Sequence, residues 1–181
     1  MDKEKDWPKR KPTRLKNFDY DSAGAYFITI CTSDRKRILS DIIKDVTTTD
    51  NSVGEGLAPP EYSVKLKPCG EVVKEQLLAL EARYENVTVD NYVIMPNHIH
   101  AIIFLHEKAG GASPSPTLND VVCTFKSLTS RICKKLYCTE KLFQRSYIDH
   151  IIRNREDYEK HVKYIHENPM RWHYDELYAE E

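Results

Sequence analysis

The residues best suited to chemistry lie within positions 92–105, Tyr-Val-Ile-Met-Pro-Asn-His-Ile-His-Ala-Ile-Ile-Phe-Leu. Two apolar, β-branched runs flank Pro96-Asn97, a pair that favours a turn. His98 and His100 open the second run. On a strand, residues i and i+2 share a face, so both imidazoles project to one side while Ile99 and Ala101 point to the other, toward the core. Two imidazoles so close together supply half of a divalent-metal site. The same spacing also suits two histidines hydrogen-bonded at a strand end, and the pair alone does not choose between these.

A second set lies near the C-terminus. On a helical wheel of about 100° per residue, Tyr158, Val162 and Ile165 fall within about 60° and predict a core stripe. Asp157, His161, Tyr164 and Asn168 form a separate polar stripe, also spanning about 60°. Tyr164 and Asn168 are i, i+4 neighbours, so a phenol and an amide oxygen can reach one point in space. A tyrosine on a helix flank also serves packing, and the wheel leaves that alternative open.

These groups need elements to hold them. Residues 25–32, Ala-Tyr-Phe-Ile-Thr-Ile-Cys-Thr, read as a first strand. Residues 44–61, with Thr-Thr-Thr, Gly-Glu-Gly and Pro-Pro, read as a long loop, and 63–66 as a short strand. Val73, Leu77, Leu80 and Tyr84 recur at helical spacing and predict a helix over 70–84. Residues 87–95 and 98–105 form a hairpin across the Pro-Asn turn. Thr117 is placed to cap a long helix whose buried face is Leu118, Val121, Val122, Phe125, Leu128, Thr129, Ile132 and Leu136. Residues 147–152 read as a last strand, and Asn154 caps the final helix, which Asn168-Pro169 ends. This alternation predicts an α+β sandwich close to a ferredoxin-like plan, with the helices on one side of a largely antiparallel sheet.

The organisation is that of one domain, residues 19–172, between a basic arm (1–18) and an acidic tail (173–181). At 181 residues, 40% hydrophobic and 30% charged, the chain has the mixture of a soluble globular protein. No apolar run approaches the roughly 20 residues that span a bilayer, and the N-terminus lacks a signal-peptide pattern. Five cysteines (Cys31, Cys69, Cys123, Cys133, Cys138) form no Cys-x-x-Cys pair, which predicts free thiols in a reducing cytoplasm.

The net charge of −1 is unevenly spread. Residues 1–17 carry seven Lys/Arg against three acids, and residues 125–145 carry six against one. Such segments can hold phosphates even when the total is near neutral, and equally suit a solvated helix face and an arm. Lys126, Arg131, Lys134, Lys135 and Arg145 are the candidate phosphate contacts. Phe143, Tyr147 and Trp172 are candidates either for stacking on unpaired bases or for ordinary packing.

Met95-Pro-Asn-His-Ile-His100 at a strand start resembles the His-hydrophobic-His (HUH) motif of single-tyrosine transposases. Downstream, Tyr147-Ile-Asp-His-Ile-Ile-Arg-Asn154, Asp157-Tyr158 and Tyr164-Ile-His-Glu-Asn-Pro169 resemble the C-terminal signature of one branch, the bacterial REP-associated tyrosine transposases. The resemblance spans about Asp19 to Trp172. It implies His98 and His100 as ligands of a divalent ion, Mg²⁺ or Mn²⁺, with Tyr164 as nucleophile. It also implies Asn168 as a third ligand, where insertion-sequence relatives carry the longer Gln. The implied activity is metal-dependent cleavage and strand transfer of single-stranded DNA flanked by hairpins, through a 5′-phosphotyrosine link. The implied location is the cytoplasm, on the nucleoid, and a homodimer and a monomer are both open to it. Asp157 and His161 belong to no transferred motif; they read as a helix N-terminal acid and a hydrogen-bonding neighbour.

The residue types suit this chemistry in their own right. A phenol with a pKa of about 10 needs help to ionise at neutral pH, and a divalent ion relieves charge on a phosphate. A histidine-triad hydrolase would need a third alternating histidine, but position 102 is Ile. A rolling-circle initiator usually brings further domains. The alternative outside enzymology is a single-strand DNA-binding protein of the same fold without catalysis.

Overall fold

The computed structural model describes residues 23–45, 61–107, 116–137 and 140–178. The basic arm and most of the long loop fall outside them. The elements run β1 (Gly24–Cys31), β2 (Ser40–Asp45), β3 (Glu61–Leu66), α1 (Pro68–Arg83), β4 (Val87–Ile94), β5 (His98–Leu105), α2 (Leu118–Tyr137), β6 (Ile148–Ile152) and α3 (Arg155–Glu167). A short 3-10 turn, Trp172–Tyr174, follows α3. Among the described residues, no helix is long and apolar enough to cross a membrane.

Four strands form one antiparallel sheet in the order β4-β5-β1-β6. With α1 between β1 and β4, and α2 between β5 and β6, the path is the βαββαβ of a ferredoxin-like sandwich. The fold is α+β, as the sequence predicts. β2 and β3 pair in a separate two-stranded sheet inserted between β1 and α1. β2 is not marked in the sequence, and its last residues fall within the expected loop from residue 44. Its Ser-Asp-Ile-Ile-Lys-Asp has no alternation to mark it.

The expectation of helices on one side is corrected. Ile28, Ile30, Ile99, Ala101 and Ile103 pack with Val73, Leu77 and Leu80 of α1 and with Val121, Val122 and Phe125 of α2. On the opposite face, Ile102 and Phe27 pack with Tyr158, Val162 and Ile165 of α3. β5 is therefore covered on both sides, which is why it is apolar at nearly every position. In α2, Cys133 rather than Leu136 completes the buried face; Leu136 is exposed.

Local chemistry seats each helix. Pro68 opens α1, and Gly70 lets that helix approach the chain entering β2, since a Cβ there would clash with the Leu39 carbonyl oxygen. The Asp120 N–H donates to Thr117 Oγ1 at 3.1 Å and caps α2. The Asp157 N–H donates to Asn154 Oδ1 at 2.9 Å and caps α3, as the sequence predicts. A one-residue bulge in β4 between Val89 and Tyr92 turns Asp90 and Asn91 toward α3. The Tyr158 hydroxyl donates to Asp90 Oδ2 at 2.6 Å, and His166 Nε2 lies 3.2 Å from Asn91 Oδ1. These contacts set the azimuth of the helix that carries Tyr164.

Candidate active site

The turn before β5 is tightly held. The Thr32 N–H donates to the Asn97 carbonyl at 2.8 Å, and the Leu39 N–H donates to the Pro96 carbonyl at 3.0 Å. His98 and His100 then follow on the α3 face of the sheet, 0% and 3% exposed. Their rings stand 4.5 Å apart, edge to face.

Each imidazole is oriented through Nδ1. His98 Nδ1 lies 2.8 Å from Asn97 Oδ1, an acceptor, so Nδ1 carries the proton. His100 Nδ1 lies 2.9 Å from Thr29 Oγ1, its cross-strand neighbour. That leaves both Nε2 atoms buried and without a hydrogen-bond partner. A metal-binding histidine is usually fixed in this way, through the nitrogen it does not offer. Burial pushes both pKa values down from 6.5 to about 3, helped at His98 by Arg35 and at His100 by the neighbouring His98. Both rings are neutral at physiological pH, the form that binds a cation.

Two further groups lie nearby, Asp175 in reach of both histidines and Asn168 bonded to it. Asn168, 3% exposed, caps the C-terminus of α3 and has its Oδ1 buried and unpartnered. Its amide donates to Asp175 Oδ2 at 3.0 Å, and that oxygen lies 3.8 Å from His98 Nε2. One ligand atom from each of His98, His100 and Asp175 lies within 4.8 Å of the others. Two neutral imidazoles, an amide oxygen and a carboxylate oxygen suit a small divalent cation such as Mn²⁺ or Mg²⁺. The orphaned buried acceptors fit such an ion, since each costs free energy while unpaired.

Asp175 was not found by sequence reasoning, which assigned residues 173–181 to a tail. Residues 173–178 instead continue the structure. Tyr178 packs on Trp172 at 5.1 Å, and Asn97 Nδ2 donates to the Leu177 carbonyl at 2.7 Å. Asp175 lies beyond the last helix in irregular chain, where no periodicity marks it.

Tyr164 projects from α3 beside this cluster. It is 42% exposed, with its ring 5.1 Å from His100 and 6.0 Å from Phe27. Burial and the Asp175 charge raise its pKa above 10, while a hydrogen bond from Asn168 opposes them. The phenol is thus protonated unless a positive charge joins the site. An open cleft of about 720 Å³ runs past it, lined by His100, Tyr164 and Asn168, by the cations Lys160, Lys163 and Arg171 and by the acids Glu167, Asp175 and Glu176, with Glu167 paired to Lys163 and Arg171. Of the polar stripe expected on the last helix, Tyr164 lies beside His100 and Asn168 bonds Asp175, whereas Asp157 and His161 lie toward His150.

The other predicted contacts lie elsewhere. Arg131, Lys134 and Lys135 are on α2, across the sheet from the cleft. Arg145 is in the loop before β6. Lys126 donates to the carbonyls of Gln144 at 2.7 Å, Arg145 at 2.9 Å and Ser146 at 3.3 Å, and burial lowers its pKa. Its ammonium braces that loop. Phe143 and Trp172 are core residues, 5% and 1% exposed. Tyr147 is partly buried against the core. Cys31, Cys69, Cys123 and Cys133 form no disulfide; Cys138 lies outside the described residues.

Comparison with solved structures matches a REP-associated tyrosine transposase bound to a REP hairpin. The TM-score is 0.52 at 18% identity, over 84% of this chain and 70% of that one. The chain has the fold of that transposase. A Haemophilus influenzae protein of uncharacterised function is 29% identical over 186 residues, covering 94% of each chain. No family model matches the chain.

Proposed function

We propose that the chain is a REP-associated tyrosine transposase that cleaves and rejoins hairpin-flanked single-stranded DNA. The observation that carries this reading is the pair of orphaned acceptors His98 Nε2 and His100 Nε2, with Asp175 in reach of both and the exposed Tyr164 beside them in an open cleft. The fold shared with a hairpin-bound transposase adds support.

His98, His100, Asn168 and Asp175 would hold a divalent ion. Bound there, such an ion would supply positive charge to polarise the phosphate. Tyr164 gives up its phenolic proton to solvent and its oxygen attacks phosphorus. The new O–P bond replaces the bond to the 3′-oxygen, which leaves and takes a proton. The product is a 5′-phosphotyrosine link and a free 3′-OH. The link conserves the bond energy, so a second 3′-OH reverses the step and joins the strands without ATP. Asn168 holds the Asp175 carboxylate in place. Lys160, Lys163 and Arg171 take the phosphates beside the reacting one. Arg131, Lys134, Lys135 and Arg145 would take backbone only where the hairpin extends beyond the cleft to the opposite layer.

Incubation of labelled single-stranded hairpin oligonucleotides with the protein and Mn²⁺, followed by a denaturing gel, tests this. A covalent protein–DNA band that requires the metal is expected. DNA retention in native gels with no such band under any divalent ion would leave a binding protein without catalysis.

A further inference from the structure

A second group of histidines and a carboxylate lies on the rim of the same cleft, outside the machinery above. His150 comes from β6, while Asp157 and His161 come from the first turns of α3. One ligand atom from each lies within 4.8 Å of the others. We infer that His150, Asp157 and His161 form a second metal site, for a divalent transition ion of the zinc type, which clamps the start of α3 to the edge strand β6.

The distances are those of a ligand set. His150 Nε2 lies 2.9 Å from Asp157 Oδ2 and 3.1 Å from Oδ1, and His161 Nδ1 lies 3.3 Å from Asp157 Oδ1. With metal–ligand bonds of about 2.0 Å, neighbouring ligands on a tetrahedral ion stand about 3.3 Å apart. The Asp157 oxygens already stand at such separations from both imidazoles, and the two imidazole nitrogens lie within 4.8 Å of each other, so an ion would draw the set together. His150 Nε2 turns a lone pair toward the ion in place of the N–H it donates to the Asp157 carboxylate, and His161 Nδ1 does so in place of the N–H it donates to the Asp157 backbone carbonyl at 2.7 Å. Each displaced proton passes to the other ring nitrogen or to water.

The rings are held in place. His161 packs on Phe27 at 4.5 Å and stacks on His150 at 4.7 Å. Phe27 pairs with His150 across the β1–β6 ladder and packs on His100 at 5.1 Å, so one phenyl ring separates the two sites. They cannot share an ion. His150 is half exposed, which leaves an approach from solvent and a fourth position for water. Two imidazoles and one carboxylate select Zn²⁺, Co²⁺ or Ni²⁺ over Mg²⁺. β6 is a five-residue edge strand, and Tyr164 and Asn168 ride on the helix that the ion would fix.

The test counts ions. Zn²⁺ is dialysed against the full chain with Cys123 and Cys138 replaced by Ser, and against three variants on that background. The unsubstituted sites should take up two equivalents. The His98→Ala/His100→Ala variant and the His150→Ala/His161→Ala variant should each take up one. The variant lacking all four histidines should take up none. Zn²⁺ should also raise the melting temperature of the His98→Ala/His100→Ala protein by several degrees, and that rise should vanish when His150 is also replaced. If the His98→Ala/His100→Ala protein binds no Zn²⁺, or binds an equivalent that His150→Ala/His161→Ala does not remove, the inference fails. Failure of the first site alone gives a different pattern: one equivalent in the unsubstituted sites, lost with His150 and His161. Circular dichroism confirms that each variant is folded.

Discussion

The two faces of the central sheet are built for different tasks. The face under α1 and α2 is closed and apolar, with Ile28, Ile30, Leu77, Leu80, Ile99, Ala101 and Ile103 all at 0–1% exposure. The face under α3 buries Thr29, His98, His100 and Asn168 and opens to solvent at Tyr164. Buried acceptors without partners cost free energy, and burial on the other face offsets that cost. A single strand, β5, serves both through the alternation of its side chains. The sheet thus separates stability from chemistry, and substitutions should separate in the same way.

The largest effects fall on the α3 face and leave the fold alone. Tyr164→Phe removes one hydroxyl and should eliminate the covalent DNA adduct while melting temperature and DNA affinity stay unchanged. His98→Ala should abolish cleavage while DNA binding persists; full metal-dependent cleavage by His98→Ala/His100→Ala would remove the metal-site reading. Tyr158→Phe, whose hydroxyl anchors the helix to Asp90, should stay active. On the opposite face, Leu77→Ala should lower unfolding free energy by about 2–5 kcal/mol in denaturant melts, with activity per folded molecule retained. A loss of adduct in the remaining folded Leu77→Ala protein would break the separation.

Protonation offers a subtler test. His98 and His100 titrate near 6.5 in the unfolded chain but at about 3 in the fold, because burial disfavours the charged form. Below pH 6.5 the unfolded chain therefore binds more protons. In chelator, stability from neutral burial should be complete above pH 6.5 and decline as pH falls toward 3. The His98→Ala/His100→Ala protein should show a flatter acid limb in melting temperature against pH, and an unchanged limb would contradict the assignment. The smallest effect concerns the basic layers. Replacing Lys160 and Lys163 by Ala should reduce the salt slope of DNA binding by up to about two. Replacing Lys134 and Lys135 should reduce it as much only where the hairpin wraps to α2. No change in either pair would make both a solvated face.

What the sequence disclosed follows from where periodicity is strong. The i, i+2 spacing of His98 and His100, and the stripe of His161, Tyr164 and Asn168, need only a strand and a helix to become geometry. Both elements formed where expected. The sequence did not say which face of the sheet α3 would cover, because an apolar stripe does not name its partner. The unbroken apolarity of β5 held a clue, since a strand covered on one side would alternate. Asp175 was hidden because its place depends on the chain folding back after Trp172, which no local pattern encodes. The engagement of Lys126 with three carbonyls was equally out of reach, since composition counts a charge without showing where it points.

Peptide mapping of the protein–DNA adduct tests the central claim most directly. Wild-type protein is reacted with a hairpin oligonucleotide in Mn²⁺, digested with protease and nuclease, and the modified peptide sequenced by mass spectrometry. The account predicts a nucleotide phosphate on Tyr164 alone, absent when chelator replaces the metal. A phosphate on Tyr158 or Tyr147, or an adduct that persists in Tyr164→Phe, would contradict it.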